Sequence, residues 1–487
     1  MNLELLIPEL ILATFAIAII LLDLFVQRKG LLVIVSLVGL VVSAGFAISM
    51  WGDSPQAIFN NMLAVDNFAL FFKLLFLGIA ALVILATVDY ASKLTRFQGE
   101  YYALVLLSTL GMMLMSATTE LISIYIALEL TSISLYALVG FLRDPKSTEA
   151  SLKYLLLGAI ASAVLLYGMA LIFGVTGETQ LGAIAQVIQA TSLETTLTNP
   201  ALVLGIVLLI AGFGFKIAAV PFHMWVPDVY EGAPTPITAY LSVGSKAAGF
   251  AIILRVFYST FGSTGLTDVM NWGLIFAVLA VLSMTLGNLV ALPQTNIKRM
   301  LGYSSIAQAG YLMVGLATVG VSPASDILGR SGVLFFLAAY TVANLGAFIA
   351  IIAISNKLNS DLIQDYSGMS KRAPLLSLAL SLSLISLIGM PPAAGFMAKF
   401  YIFSGAIQYD LLWLVIIAAI NSVVSAYYYL RIVKVMWFGK PASEEKVSSS
   451  GVLRVALSLS CLGVLLFGII PGYIMKLAET AAKMFVF

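Results

Sequence analysis

Charge is scarce in this chain: Asp, Glu, Lys and Arg make up 10% of its 487 residues. A soluble domain carries about 25%, so this composition cannot clothe a water-facing surface. A single cysteine, Cys461, excludes an intrachain disulfide and the cysteine sets that hold iron–sulfur clusters, and it reads as packing in an apolar run. One histidine, His223, leaves no metal-ligand spacing, and no Gly-rich nucleotide loop joins a strand to a helix. Soluble-enzyme chemistry is therefore absent. A net charge of +2 is too balanced to argue for nucleic acid or another charged partner.

Apolar length is abundant. Hydrophobic residues make up 61% of the chain, and mean hydropathy is +1.05. Runs of about 20 apolar residues, each able to cross a hydrocarbon core of about 30 Å, recur from end to end. Hydropathy predicts helices near 3–26, 31–51, 66–90, 101–117, 119–142, 149–173, 201–231, 235–258, 271–292, 298–320, 331–355, 375–406, 410–437 and 452–475. The expected fold is thus an all-α polytopic membrane protein of about fourteen transmembrane helices. The first run, Leu3 to Val26, lacks a basic n-region and is too long for a signal peptide; it reads as a retained helix with Pro8 and Glu9 near its outer end. Gln180 to Ala190 is amphipathic and short, as expected of an interfacial segment.

Basic residues fall on alternate loops: Arg28/Lys29, Lys93/Arg96, Arg143/Lys146, Lys298/Arg299, Lys357/Lys371/Arg372 and Lys440/Lys446/Arg454. The opposite loops, Gly52 to Val65, Ser116 to Thr119, Thr176 to Pro200 and Gly262 to Asn271, are poor in bases, with Arg330 the exception. By the positive-inside rule both termini face outside.

The chain also resembles itself at an offset of about 175 residues. Tyr136 to Gly140 (YALVG) matches Tyr311 to Gly315 (YLMVG), and Leu254-Arg255-Val256 matches Leu430-Arg431-Ile432. Pro221, which interrupts the seventh helix, matches Pro391/Pro392 in the twelfth. This predicts three N-terminal helices (1–100), a first repeat of helices four to eight (101–258), a second of helices nine to thirteen (271–437), and a loop with a last helix (438–487). Five spans reverse the orientation of the next copy, so the two five-helix repeats are inverted, each with one broken helix. That is an architecture of ion paths with midplane sites.

An ionisable group at mid-membrane costs about 2.5–3.5 kcal/mol, so it needs a partner or a function. Glu129 in the fifth helix, Lys216 just before Pro221, Lys246 midway along the eighth helix and Lys399 after the break GMPPAAG stand out. Burial favours a neutral lysine and a nearby carboxylate a charged one. Movement of Glu129 relative to Lys216 would therefore load or release a proton. Lysine suits this work because its proton affinity shifts readily, whereas arginine stays charged. Breaks at Pro221 and Pro391/Pro392 free backbone carbonyls that need protein or water beside them. Other charges have plainer readings. Lys73 snorkels outward, and Asp66, Asp89 and Glu120 are solvated at helix ends. Glu149 and Lys153, at i and i+4, form a structural ion pair or join the proton path, and His223 either packs or relays.

The stretch from Lys216 to Ala251, KIAAVPFHMWVPDVYEGAPTPITAYLSVGSKAAGFA, resembles the signature of the antiporter-like membrane subunits of NADH:quinone oxidoreductase (respiratory complex I). PFHMWVPDVYEGAPTP with SVGSKAAGF is similar to the N type rather than the L and M types. NIKRMLGYSSIAQAGY, GMPPAAGFMAKF and the absence of a long lateral C-terminal helix agree. The resemblance covers nearly the whole chain. It implies that Glu129, Lys216, Lys246 and Lys399 form a proton path, with Lys153 a further lysine of the sixth helix. It also implies a chain without a redox centre. FMN, iron–sulfur clusters and quinone would be in other subunits, whose electron transfer from NADH to quinone drives outward pumping. Expected partners are other membrane-arm subunits, the peripheral NADH-oxidising arm indirectly, and lipid, in a bacterial-type inner (plasma) membrane. A ferredoxin-dependent relative and an Mrp-type cation/proton antiporter are the alternatives, which neighbouring genes distinguish. A scaffold without transport would have no use for four buried charges.

Overall fold

A computed structural model describes residues 3–27, 29–94, 97–190, 199–262, 272–321, 327–441 and 443–483. Lipid offers no hydrogen bonds to a backbone, so the chain satisfies its own amides as helices. The first are α1 (Ile7–Phe25), α2 (Gly30–Ser49), α3 (Asn67–Thr87), α4 (Gln98–Ala117), α5 (Leu121–Val139) and α6 (Pro145–Thr176). A short α7 (Leu181–Ala190) precedes α8 (Pro200–Ile217), α9 (Trp225–Gly232) and α10 (Thr235–Phe261). Then come α11 (Trp272–Ala291), α12 (Ile297–Val321), α13 (Ile327–Leu358), α14 (Pro374–Ile388) and α15 (Ala394–Gln408). The last are α16 (Leu412–Phe438), α17 (Gly451–Ile469) and α18 (Gly472–Ala482).

Local chemistry sets many of the boundaries. Asp66, Glu120, Asp144, Asn199 and Ser450 cap α3, α5, α6, α8 and α17 by accepting from N–H groups of the first turn. Pro145 and Pro200 occupy first helical positions, where no N–H is needed. Gly177 at φ +69° and Gly389 at φ +91° end α6 and α14.

Twelve helices among the described residues are long and apolar enough to cross a membrane. The 25-residue α12 and the pair α14–α15 bring the crossings to the expected number of about fourteen. The predicted seventh helix is α8 and α9 with a break between them, and the predicted twelfth is α14 and α15. The twelfth breaks at 389–393, beside Pro391 and Pro392, and the seventh at 218–224, beside Pro221. At the centre stand α10 and α13, buried along nearly their whole length; α1, α2, α6 and α17 turn broad apolar faces outward. As the amphipathic pattern of Gln180 to Ala190 requires, α7 buries one face (Leu181, Ile184, Ala185, Ile188). One element escaped the all-α reading: strands β1 (Gln56–Ile58) and β2 (Leu63–Val65) form an antiparallel hairpin with Ala57 opposite Ala64.

The loops sort to two ends. Lys93, Lys146, Lys298, Asn356 and Asp361 line one cavity of about 550 Å³, so four of the basic loops share that end. Asn356 Nδ2 donates to Asp89 O at 2.8 Å, and Arg372 Nε to Glu445 O at 2.9 Å. The Lys357 ammonium, 2.7 Å from Glu445, holds that carboxyl below its usual range. At the other end Thr119 N donates to Met62 O, Leu181 N to Thr119 O, and Gln180 Nε2 to Asn60 O. Arg28, Arg96 and the stretches 191–198 and 263–271 lie outside the described residues.

Several charges sit deeper than hydropathy places them. Lys73 does not snorkel: it is fully buried on α3 and pairs at 2.6 Å with Glu9 of α1, itself 4% exposed. Asp66 is not solvated, since Arg255 of α10 grips both its oxygens at 2.6 and 2.9 Å. Arg255 also donates to Ser116 O at the end of α4. Glu120 is a buried cap on Ser123, and Asp89 is half-buried, accepting from Ser450 N. Arg330 is not in a loop but in the first turn of α13, buried 4.2 Å over the Tyr258 ring. Partners this distant in sequence give hydropathy no signal.

Removing one side of a buried ion pair costs about 3–5 kcal/mol, because the remaining charge stays in low dielectric. Asp66→Leu is therefore expected to lower the thermal midpoint of the detergent-solubilised protein strongly, and Asp66→Leu with Arg255→Met to recover most of the loss. Equal losses in the single and double variants would contradict the clamp.

Candidate functional site

The break in α8 begins beside a charge. Lys216 lies in the last turn of α8, and Ala218 follows in the left-handed region at φ 61°. At the break the Phe215 carbonyl accepts from Ala218 N at 3.2 Å and from the Trp225 indole N–H of α9 at 3.0 Å. Lys216 is 9% exposed, and its ammonium donates to Ser132 Oγ of α5 at 2.6 Å. Glu129 stands one turn away on α5, half-buried, and accepts from Ser162 Oγ of α6 at 2.5 Å. Among the described residues no ion pair joins Glu129 to Lys216; each faces a serine. The expected pair is thus not joined: Lys216 of α8 meets α5 at Ser132, one turn from Glu129.

Lys246 follows a π-helical turn, Leu241–Ser245, within α10. Such turns let one extra residue bulge and often mark functional sites. Gly249, one turn on, allows α10 to approach α8: a Cβ there would fall 2.7 Å from Ile217 Cγ2 and 3.5 Å from Lys216 Cβ. Lys246 is 2% exposed and donates to both the carbonyl and the hydroxyl of Ser305 on α12, the latter at 2.6 Å. That hydroxyl is shared with Tyr340 OH at 3.2 Å and Tyr230 OH at 3.1 Å.

At the second break, the freed carbonyls of Leu387 and Ile388 accept from Gln308 Nε2 at 3.0 Å and from Lys399 Nζ at 2.8 Å. Lys399 is 6% exposed, donates also to Ser422 Oγ of α16 at 2.9 Å, and lies 4.2 Å over the Tyr311 ring. Tyr311 leads back through Asn288, Tyr428 and Tyr429 to Ser304, the neighbour of Ser305. Buried polar side chains therefore run from Lys246 to Lys399 across α12, α16 and α11.

Other expected residues lie apart from this line. Lys153 is partly exposed and pairs with Glu149 at 2.8 Å, as the i,i+4 spacing predicts, and also with Asp228 of α9 at 2.8 Å. Arg299 of α12 holds Asp228 at 2.6 Å and Glu231 at 3.2 Å. These groups line a cavity of about 220 Å³ at the end where the basic loops gather. His223 lies in the first break with Nδ1 buried and without a hydrogen-bond partner. Pro221, Pro391 and Pro392 are exposed at the breaks. Sequence reasoning missed Ser132, Ser162, Ser305, Ser422, Tyr340, Asn288 and Asn421. The one available signal was their polarity inside spans, which is common and unspecific. Among the described residues no group of three or more His, Cys, Asp or Glu could hold a metal ion.

Residues 117–425 match the family model for the transmembrane region of NADH:quinone oxidoreductase and Mrp antiporters. NADH-quinone oxidoreductase subunit N of Dehalococcoides mccartyi is 51% identical over 99% of this chain and 100% of its own length. A chain of respiratory complex I from Thermus thermophilus superposes with TM-score 0.81 at 34% identity, covering 97% of this chain and 100% of that one. A chain of an archaeal membrane-bound sulfane sulfur reductase does so with TM-score 0.86 at 28% identity, covering 98% and 96%. The chain belongs to the family of NADH:quinone oxidoreductase and Mrp antiporter membrane subunits, among the N subunits of NADH-quinone oxidoreductase.

Proposed function

We propose that this subunit carries protons outward across the membrane along Glu129, Lys216, Lys246 and Lys399, driven by electron transfer from NADH to quinone in other subunits. The observation that carries this reading is the nature of the lysines' partners. Buried Lys73 and Arg255 face carboxylates, which compensate their charge. Lys216, Lys246 and Lys399 face serine hydroxyls and backbone carbonyls, and among the described residues no carboxylate pairs with any of them. A hydroxyl can donate or accept, so it accommodates an ammonium or an amine. These are the cations free to exchange a proton.

In this reading Glu129 sets the charge state of Lys216 from one turn away, and Ser162 holds it in its present position. Lys153, with Glu149 and Asp228, lies at the end where protons are taken up. The two units, 101–258 and 271–437, act as inverted repeats, with 1–100 and 438–487 outside them. Supporting this, Arg255 donates to Ser116 O at the end of α4 and Arg431 to Leu292 O at the end of α11, with arginines and carbonyls both offset by about 175 residues. The two termini face outside a bacterial-type plasma membrane, as the gathering of basic loops at one end supports. FMN, iron–sulfur clusters and quinone belong to other subunits. The 51% identity to an N subunit favours NADH as electron source over ferredoxin, and a redox complex over a free-standing antiporter.

Lys216→Met is expected to abolish or strongly reduce pumping in the assembled complex and to slow quinone reduction through coupling. Normal turnover and pumping in that variant would remove Lys216 from the path. Glu129→Gln is expected to depress pumping at neutral pH, read from the proton yield of reconstituted complex. An unchanged yield across the pH range would end the control assigned to Glu129.

A further inference from the structure

Between Ser304 and Lys399 the buried line has one member unlike the rest. The Ser304 hydroxyl bonds that of Tyr429, whose ring lies 4.4 Å from that of Tyr428. Tyr428 OH donates to Asn288 Oδ1 at 2.9 Å, and Asn288 Nδ2 donates to Tyr311 OH at 3.1 Å, beneath Lys399. Asn288, Tyr311, Tyr428 and Tyr429 are all 0% exposed.

A hydroxyl accepts and donates on a single oxygen, so it hands on a proton and returns to its former state by rotating. A carboxamide divides the two functions. Its oxygen accepts, its nitrogen donates, and neither titrates at physiological pH. A proton passing through would leave the less stable imidic acid behind. The amide cannot turn over to help. Its second N–H donates to Asn421 O at 3.1 Å, and a reversed amide would set two acceptors face to face. Asn421 is anchored in turn through Nδ2 to Ile417 O at 3.0 Å and Thr285 Oγ1 at 3.3 Å.

We propose that Asn288, held by Asn421, is an insulator that interrupts the hydroxyl line between the Lys246 side and the Lys399 side. The inference rests on the proton path proposed above and adds a property to it: the static protein does not conduct, and a proton crosses only when turnover rearranges the network. With a carboxylic acid at position 288, one oxygen would take the Tyr428 proton as the other gave its own to Tyr311. With serine, one oxygen would do both. In either case one O–H bond forms as one breaks, and nothing is oxidised.

The test uses the whole complex in proteoliposomes, reading passive proton conductance without substrate and proton yield per NADH with it. Asn288→Asp and Asn288→Ser are expected to raise the passive conductance by about tenfold, the effect of a barrier lower by about 1.4 kcal/mol, and to lower the yield. Asn288→Leu, which removes the amide without supplying a relay, is expected to leak no more than the parent. Adding Lys399→Met to Asn288→Asp is expected to close the leak. The proposal is overturned if the Asp and Ser variants are as tight as the parent, or if the Leu variant leaks as they do, since loosened packing would then explain the leak. Failure of the underlying path is separately visible: Lys399→Met alone would leave the proton yield intact.

Discussion

Inside a membrane a cation is held by whatever faces it, and five buried cations of this subunit divide on that basis. Arg255 faces Asp66 and ties α10 to α3, and Lys73 of α3 faces Glu9 and ties two N-terminal helices to each other. Lys216, Lys246 and Lys399 face serines and carbonyls. The first arrangement fixes charge and so serves structure. In the proposed path the second leaves the protonation state open, because a neutral partner does not offset the desolvation cost of the ammonium.

The breaks make those positions available. A continuous helix would consume the carbonyls of Phe215, Leu387 and Ile388 in i→i+4 bonds; here Trp225, beside the Ala218 N–H, takes the first, and Gln308 and Lys399 take the others. Backbone that is irregular at this depth must be buried in protein or face water; side chains take the freed carbonyls, while Pro221, Pro391 and Pro392 stay exposed. The extra polarity is therefore satisfied, and the lysine at each break keeps a short list of neutral neighbours. The clamp of Arg255 on Asp66 and on Ser116 O fixes α10 against α3 and α4, and Lys246 is carried on that fixed helix.

Much of this was legible in the sequence. Apolar length gave the crossings, Pro221 and Pro391/Pro392 gave the breaks, and the cost of a mid-membrane charge picked out Glu129, Lys216, Lys246 and Lys399. Periodicity also placed the Glu149–Lys153 pair. What stayed hidden was pairing across the chain. Asp66 looks like a helix end because its partner is on α10, and Lys73 looks like a snorkelling residue because Glu9 is on α1. The serines beside the lysines were hidden for a different reason. Serine and tyrosine are common in spans, and only packing reveals which of them, such as Ser305 among Lys246, Tyr230 and Tyr340, faces a charge. The β hairpin was missed because three-residue strands in a polar loop carry no period.

The central claim is that neutral partners leave these lysines free to change protonation state, and it can be tested by supplying the missing carboxylate. Ser422 lies 2.9 Å from the Lys399 ammonium, so Ser422→Asp gives Lys399 a charged partner where it now has a hydroxyl. Proton yield per NADH in reconstituted complex is the measurement, with Ser422→Ala as the comparison that removes the hydroxyl without adding charge. The account predicts an assembled complex whose yield falls well below that of the alanine variant, because the lysine is locked as an ammonium. A Ser422→Asp complex that pumps like the parent would contradict it.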